Sequence, residues 1–219
     1  MKRLYSVVRS RRPNGFVDAH VYDCLNVLAL AFATGIWNGE QLPRTDRVVE
    51  ALPLDRFRTE FMGRSIGVPT DLLYYKIGNY EAATALALLH DVPVRCESDA
   101  DLAAISRLYG MRDAFGCRRA RFHGYWEARP AIKIESTGCH ASYWQHPRNG
   151  ILVVVANLES EARDVRLRLD WAALGGTRPT TGRDMRLGTR FPVEAAGFVL
   201  PVKAQSWGLV WLGRAGEGE

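Results

Sequence analysis

Two apolar stretches near the start of the chain each lead into polar and aromatic side chains. The first covers residues 16–22, FVDAHVY, and contains Asp18 and His20, and the second covers residues 28–36. Near-continuous apolar runs of this kind are typical of parallel strands that are buried on both faces. Open α/β sheets and barrels carry their binding sites at the carboxyl ends of such strands. We therefore predict two buried strands with a site where they end.

The second run is followed directly by Trp37, Asn38, Gly39, Glu40 and Gln41. An indole can stack on a sugar ring, and amide and carboxylate groups can bond to its hydroxyls. A polar loop without a ligand is the alternative, and it is the more frequent case because pockets are few per protein. The pattern thus indicates a candidate sugar site and leaves the polar loop open.

The rest of the first half alternates helical and strand patterns. A third strand is predicted over Val68–Tyr75. Helices are predicted over residues 2–12, from Pro53 onward, over Tyr80–Leu89, and over Asp99–Phe115, with Ser98 as the cap of the last helix and Gly116 as its end. Alternating strands and helices predict parallel pairing with right-handed crossovers.

The second half changes to short strands at close spacing. Ile151–Asn157, ILVVVAN, is apolar on both faces and is predicted as the central strand, whereas residues 163–171 alternate apolar and charged positions and predict one wet face. Further strands are predicted over residues 131–135, 140–146, 183–191 and 197–212, the last broken by Pro201. This pattern is typical of an antiparallel sandwich.

The predicted fold class is therefore α/β plus all-β. We expect an incomplete (β/α) barrel segment at residues 1–117, a linker at 118–130, an antiparallel β-sandwich at 131–213 and a tail at 214–219. A full barrel has eight strands and about 250 residues. Three strands cannot close one, so we expect either the last part of a longer enzyme or a remnant of one.

Composition and charge narrow the classes of partner. The 219 residues include 29 Lys and Arg against 24 Asp and Glu, giving a formal charge of +5. The arginines are scattered, whereas a nucleic-acid site needs a basic patch with interleaved aromatic residues. No apolar run approaches the roughly 18 residues of a membrane span, and the charged amino terminus does not resemble a secretory signal. We expect no nucleic-acid or membrane partner. The chain as given has the features of a cytoplasmic protein, and the location of the protein in the cell stays open.

No cofactor or metal site is expected. The cysteines are far apart and form no CxxC pair, so we expect buried free thiols rather than zinc ligands or disulfides at Cys24, Cys96, Cys117 and Cys139. Gly63–Gly67 matches G-x-S-x-G, but a nucleophile elbow needs a strand before its serine and a helix after it. The order of the predicted elements is reversed here, which favours a loop that ends a helix.

Carboxylates lie in or just after all three predicted strands, at Asp18, Glu40 and Asp71. Hydrolysis of a glycosidic bond usually needs two carboxyl groups that flank the bond. Each could equally be a helix cap, a loop acceptor or an ion-pair partner, because surface carboxylates are common. His20 within an apolar strand is in the same way more often a hydrogen-bonded structural residue than a base. The catalytic residues therefore stay unknown.

Three stretches together resemble the carboxyl-terminal part of glycoside hydrolase family 123: WNGEQL, LPLDRFRTEFMGRSIGVP and EAATALALLHDVPVR. The resemblance runs from about residue 1 to residue 212, and its end is similar to the β-sandwich that follows many glycosidase barrels. It implies a (β/α) barrel hydrolase of N-acetylhexosaminides, with the acetamido group of the substrate as nucleophile and an adjacent Asp and Glu as catalytic pair.

The chain contains no Asp-Glu dipeptide, so the resemblance transfers no catalytic residue to it. Trp37, Glu40 and Gln41 match the family-like WNGEQ position and are the predicted substrate-binding residues, with Asp18 and His20 as neighbours. The resemblance thus predicts part of a carbohydrate-active hydrolase that is inactive alone. A non-catalytic carbohydrate-binding or structural module is the alternative, and a partner chain or a missing amino-terminal part could complete the barrel.

Overall fold

The computed structural model of the chain describes residues 1–20, 26–63, 67–73, 77–95, 99–175 and 178–213. A parallel sheet with helices comes first, and two antiparallel sheets follow it. The helices are α1 (Lys2–Arg11), α2 (Val27–Leu30), α3 (Val48–Ala51), α4 (Leu54–Glu60), α5 (Tyr80–Leu89) and α6 (Asp99–Phe115). Within these residues, none of the helices is both long and apolar enough to cross a membrane.

The parallel sheet has four short strands in the order of the sequence. They are β1 (Asp18–His20), β2 (Gly35–Asn38), β3 (Thr70–Leu73) and β4 (Val94–Arg95). Each strand pairs with the next in parallel, which confirms the predicted pairing. The fourth strand was not predicted because two residues give no periodicity. Residues 21–22, 74 and 75 of the predicted strands lie outside the described part of the chain.

The prediction that these strands are buried on both faces is wrong. One face carries Ala19, Ile36, Leu72 and Val94, which are buried. Side chains alternate along a strand, so the positions between these residues point to the other face of the sheet. That face carries side chains that are partly or largely exposed: Asp18, His20, Trp37, Asp71 and Arg95. We call it the polar face.

The predicted strand over residues 28–36 is also wrong in its first half. Val27–Leu30 forms the short helix α2, because the side chain of Asn26 accepts hydrogen bonds from the backbone N–H groups of Leu28 and Ala29. An Asn in this position caps a helix by satisfying its free donors. The strand begins only at Gly35, so Trp37 and Asn38 lie within β2 rather than after it.

The second half is an antiparallel sandwich, as predicted. The strands are β5 (Arg121–His123), β6 (Ile132–Ile134), β7 (Cys139–His146), β8 (Gly150–Asn157), β9 (Arg163–Leu169), β10 (Thr181–Asp184), β11 (Arg190–Pro192), β12 (Gly197–Val202) and β13 (Ser206–Leu212). One sheet has the order β11-β10-β13-β8-β7-β5 and the other the order β12-β9-β6. Exposed and buried positions alternate along β9 from Asp164 to Leu169, which confirms that one face of this strand is exposed to solvent.

Two boundaries in this half differ from the prediction. Residues 118–130, predicted as a linker, contain β5, which pairs with β7 over residues 121–123. Pro201 does not break its strand but pairs within β12, and the break comes at Gln205 with a φ of 47°. Pro201 is tolerated because β12 is an edge strand of its sheet, where a missing N–H costs no ladder bond.

Helix α5 lies between the two halves. It is apolar on every side, and Ala82–Leu89 is buried throughout, as expected for a helix covered all round. Its Leu86 packs into the core beneath the parallel sheet. Leu88 and Leu89 pack against the six-stranded sheet, together with Leu152 and Val154 of β8. Strand β8 is therefore covered on both faces, by α5 and by the second sheet, which explains its continuous apolar sequence.

The cysteines in the described residues are free. Cys139 is buried and Cys117 is partly buried. Burial raises the pKa of the Cys117 thiol to about 11. Cys24 and Cys96, the serine of the G-x-S-x-G motif, the cap at Ser98 and the tail at 214–219 lie outside the described residues.

Candidate functional site

The polar face collects one or more polar side chains from each of the four parallel strands. His20 of β1 is in register with Trp37 of β2, and Trp37 is in register with Asp71 of β3. Arg95 of β4 pairs with Leu73, two residues after Asp71. Because residues in register share a face of a sheet, these side chains meet on one surface.

Arg95 joins the carboxylates of the first and third strands. Its Nη2 atom lies 2.8 Å from Asp18 Oδ2 and 2.6 Å from Asp71 Oδ2, and its Nε donates to the same Asp71 oxygen over 2.7 Å. The guanidinium carbon also lies 4.6 Å from the ring centre of Trp37. A guanidinium suits this position because its fixed fork of donors can serve two carboxylates while its flat face rests on an indole.

His20 and Glu40 form a second pair beside Trp37. His20 Nε2 lies 2.7 Å from Glu40 Oε2, and the His20 and Trp37 ring centres are 4.9 Å apart. The side chain of His20 is 44% exposed and that of Glu40 is 20% exposed. The pair is therefore reachable from solvent, in contrast to a structural pair in a core.

Gln41 forms hydrogen bonds within the turn that follows β2. Its Nε2 donates to Asn38 Oδ1 over 2.6 Å, and its Oε1 accepts from the backbone N–H of Gly39. Gly39 has a φ of 122°, a conformation that favours glycine. Asn38 is itself buried and donates to the carbonyl of Glu60. These bonds fix the turn that places Glu40 beside His20.

Two buried polar atoms on the polar face have no hydrogen-bond partner among the described residues. They are Asp71 Oδ1, an acceptor, and Trp37 Nε1, a donor. Burial raises the pKa of the Asp71 carboxyl, although the hydrogen bond and charge of Arg95 act in the opposite direction. Unsatisfied buried groups are uncommon, and a bound water or polar ligand is one explanation for them.

The arrangement suits recognition of a polyhydroxylated ligand. Arg95 and His20 offer hydrogen-bond donors, and Glu40, Asp18 and Asp71 offer acceptors. The ring of Trp37 is contacted by both Arg95 and His20 and therefore supports these two side chains. Within the described residues no group of three or more His, Cys, Asp or Glu side chains could hold a metal ion.

The sequence indicated most of this cluster but missed its centre. Asp18, His20, Trp37 and Glu40 come together, and Asp71 joins them as one of the carboxylates noted at strand ends. Arg95 was not identified, because β4 has no visible pattern and its partner Asp18 is 77 positions away in the sequence. An isolated arginine directly after an apolar Val-Pro-Val segment was the one available signal.

Comparisons with known proteins agree with this architecture. Residues 104–181 match the family model described as Glycoside hydrolase 123, C-terminal domain. None of the curated proteins matches the chain.

Several solved glycosidases share the fold at low identity. A GH27 β-L-arabinopyranosidase from Geobacillus stearothermophilus superposes with a TM-score of 0.60 and 11% identity, over 99% of this chain and 55% of its own. A noncanonic maltogenic α-amylase from Thermotoga neapolitana gives 0.58 and 10%, over 96% and 58%. For α-galactosidase I from Mortierella vinacea the values are 0.50 and 9%, over 87% and 56%.

The chain spans about half the length of each of these structures, and at such identities the likeness concerns the fold alone. The family match covers α6 after its first turns, β5 to β9 and the start of β10. Residues 104–181 are therefore similar to the C-terminal domain of glycoside hydrolase family 123, which confirms the resemblance found in the sequence.

Proposed function

We propose that this chain is part of a glycoside hydrolase that acts on N-acetylhexosaminides, and that it contributes sugar-binding groups on the polar face of its parallel sheet. The observation that carries the proposal is the cluster of Asp18, His20, Glu40, Asp71 and Arg95 on that face. It belongs to a chain with a glycoside hydrolase C-terminal domain.

The cluster is suited to binding rather than to bond cleavage by these residues alone. Asp18 and Asp71 share the one guanidinium of Arg95, and Glu40 is paired with His20. Neither arrangement gives the adjacent Asp and Glu that the resemblance implies, and the chain has no such dipeptide. We infer that the chain alone has no glycosidase activity and that Trp37, Glu40, Asp18 and His20 bind the sugar while Gln41 holds the turn.

Apolar side chains beside the parallel sheet support a larger barrel. Phe16 is 66% exposed, and Val27 and Leu28 of α2 are 76% and 77% exposed. Large exposed apolar side chains are typical of surfaces that another element covers. We infer that further strands of the same enzyme pack there, beside β1, and that residues 1–117 are a segment of a (β/α) barrel.

Titration calorimetry with N-acetylgalactosamine and with glucose tests the binding proposal. The wild-type chain should bind N-acetylgalactosamine, and Glu40→Gln should weaken binding about tenfold by removing a charged acceptor, which corresponds to roughly 1.4 kcal/mol. Glu50→Gln is the matched control because Glu50 is 71% exposed and, among the described residues, forms a salt bridge with Arg47 alone. Absence of binding, or equal binding by wild type and Glu40→Gln, would reject the proposal.

The inference of inactivity is tested separately with a chromogenic N-acetylgalactosaminide. We expect no turnover by the 219-residue chain above the rate of a heat-treated sample. Turnover that disappears in Glu40→Gln but persists in Glu50→Gln would show that the catalytic groups lie within this chain. That result would leave the sugar-binding proposal intact while overturning the inferred inactivity.

A further inference from the structure

A second cleft lies away from the polar face, between helices α5 and α6 on one side and strands β10 and β13 on the other. Its volume is about 660 Å³. That size falls within the range in which proteins enclose small ligands. The buried side chains of Ile105 and Leu108 and the partly exposed side chains of Met111, Met185 and Trp211 give it an apolar floor.

One arginine of this cleft, Arg186, is bound by other groups of the protein. Arg186 Nη2 lies 3.0 Å from Glu81 Oε1, its Nη1 donates to the carbonyl of Trp207 over 2.5 Å, and its guanidinium carbon lies 4.0 Å from the Trp207 ring centre. Ser206 donates to the second oxygen of Glu81 over 2.8 Å. The charges of Glu81 and Arg186 therefore neutralise each other.

The other two arginines of the cleft have no such partner among the residues that the structure describes. Arg107 of α6 and Arg183 of β10 are exposed, and among the described residues neither forms a salt bridge. With Arg186 balanced by Glu81, the cleft carries two arginines that form no salt bridge within the described part of the chain, beside an apolar floor. A guanidinium binds a carboxylate through two parallel hydrogen bonds, so this pair is suited to an anionic ligand.

A glycine of helix α6, Gly110, also lines this cleft. It lies inside the helix α6, where glycine costs roughly 1 kcal/mol relative to alanine. Packing does not require it, because a Cβ atom built at this position would have nothing within 4 Å. Its effect is to leave this part of the cleft wall without a side chain.

We propose that this cleft is a second carbohydrate-binding site, selective for an oligosaccharide that carries carboxylates, such as a chain of uronic acid residues. The sugar ring rests on Trp211 and Met111 beside Gly110, and its carboxylates pair with Arg107 and Arg183. The carbohydrate is favoured over an acidic peptide because the platform is a partly exposed indole in a chain that shares its fold with glycosidases. The proposal is independent of sugar binding on the polar face.

Titration calorimetry with trigalacturonate, and with maltotriose as the neutral counterpart, tests this site. We expect the wild-type chain to bind trigalacturonate and to bind maltotriose at least tenfold more weakly. Arg107→Gln and Arg183→Gln should each weaken trigalacturonate binding about tenfold, and the double variant should abolish it. Arg163→Gln, which removes an exposed arginine from β9, is the charge-matched control and should bind as wild type does.

Gly110→Glu and Gly110→Ala form a second test that does not remove a positive charge. The glutamate places a negative charge in the cleft and should weaken trigalacturonate binding by tenfold or more, whereas the alanine should have a smaller effect. Glu40→Gln should leave trigalacturonate binding unchanged, which separates this cleft from the polar face.

Three outcomes would overturn the proposal. One is no binding of trigalacturonate, and another is equal binding by wild type and the double arginine variant. The third is tighter binding of a hexaglutamate peptide than of trigalacturonate, lost in the same variants, since it would identify an acidic polypeptide as the occupant.

Discussion

Arg95 of β4 forms a salt bridge with Asp71 of the neighbouring strand β3, with 2.6 Å between the Nη2 atom of the arginine and the Oδ2 atom of the carboxylate. The Asp71 side chain is 16% exposed and that of Arg95 is 38% exposed, so the carboxylate is the more deeply buried partner. Burial raises the pKa of Asp71 even with the arginine in place. Arg95 thus opposes the effect of burial on Asp71, while the second oxygen of this carboxylate, Oδ1, has no hydrogen-bond partner among the described residues.

Replacement of Arg95 by glutamine should destabilise the chain by about 1–2 kcal/mol at pH 7. The value lies below the 3–5 kcal/mol typical of breaking a buried pair because Arg95 is partly exposed. The pKa of Asp71 should rise further, and the loss of stability should be smaller at pH 4 than at pH 7, because a carboxyl group that takes up a proton no longer needs a cation. Urea denaturation at both pH values measures this change.

The matched control for that experiment is Arg56→Gln, which breaks an exposed pair with Glu60 one helical turn away. It should cost less than about 0.5 kcal/mol. Equal losses for the two variants would contradict the role assigned to Arg95.

His90 should make the fold sensitive to mild acid. The residue is 2% exposed, and burial lowers its pKa from 6.5 to about 4, with the charges of Arg58 and His140 acting in the same direction and the Leu86 carbonyl opposing them. Because the folded-state pKa is depressed, the unfolded chain binds a proton more readily below pH 6.5. The contribution of the neutral His90 to stability is therefore fully present above pH 6.5. The free energy of unfolding should fall by roughly 3 kcal/mol as the pH drops to 4.

Thermal or urea unfolding between pH 7 and pH 4 measures this dependence. The His90→Gln variant should show a shallower slope over that interval, although it is less stable at pH 7 because it loses the contacts of His90 with Phe57 and Trp126. A slope equal to that of the wild type would show that other groups cause the acid sensitivity.

Two glycines of the same helix region should respond to alanine in opposite directions. Gly110→Ala should stabilise the chain by about 0.5–1 kcal/mol, since the helical backbone accepts alanine and the added Cβ meets no neighbour. Gly116 ends α6 with a φ of 86°, and a Cβ there would lie 3.3 Å from His146 Nε2. Gly116→Ala should therefore destabilise by about 1 kcal/mol or more. Urea denaturation of both variants measures the change in the free energy of unfolding, which should be positive for Gly110→Ala and negative for Gly116→Ala.

Asp91 should contribute to stability through contacts with both halves of the chain. Its Oδ1 accepts from Arg112 Nη2 over 2.5 Å and from Trp144 Nε1 over 3.1 Å, so it joins the end of α5 to α6 and to β7. Its φ of 56° is tolerated by Asp and Asn more readily than by other residues.

Asp91→Ala should cost about 3 kcal/mol, from the loss of both bonds and from backbone strain. Asp91→Asn should cost only about 1 kcal/mol, because it keeps an acceptor and tolerates the same backbone. Guanidinium denaturation measures the free energy of unfolding of both variants. Equal losses would show that Asp91 does not stabilise the chain through these hydrogen bonds.

The sequence was most informative where one residue pattern had a single structural solution. The apolar helix over Tyr80–Leu89 and the strand over Ile151–Asn157 could lie only in a core, and α5 and β8 form the contact between the two halves. It was least informative at residues 28–36, where an apolar run fits either element. There the side chain of Asn26 settled the first turns as the helix α2.

For the candidate site, residue type was available from the sequence, but relative position was not. The sequence by itself determined a parallel α/β part, an antiparallel sandwich, and polar groups at Asp18, His20, Trp37 and Glu40, because periodicity and residue chemistry are local properties. Only the tertiary structure decided that Arg95 joins Asp18 to Asp71, because that contact depends on the register of four neighbouring strands. Strand register is set by packing between residues far apart in the chain, and no local pattern encodes it.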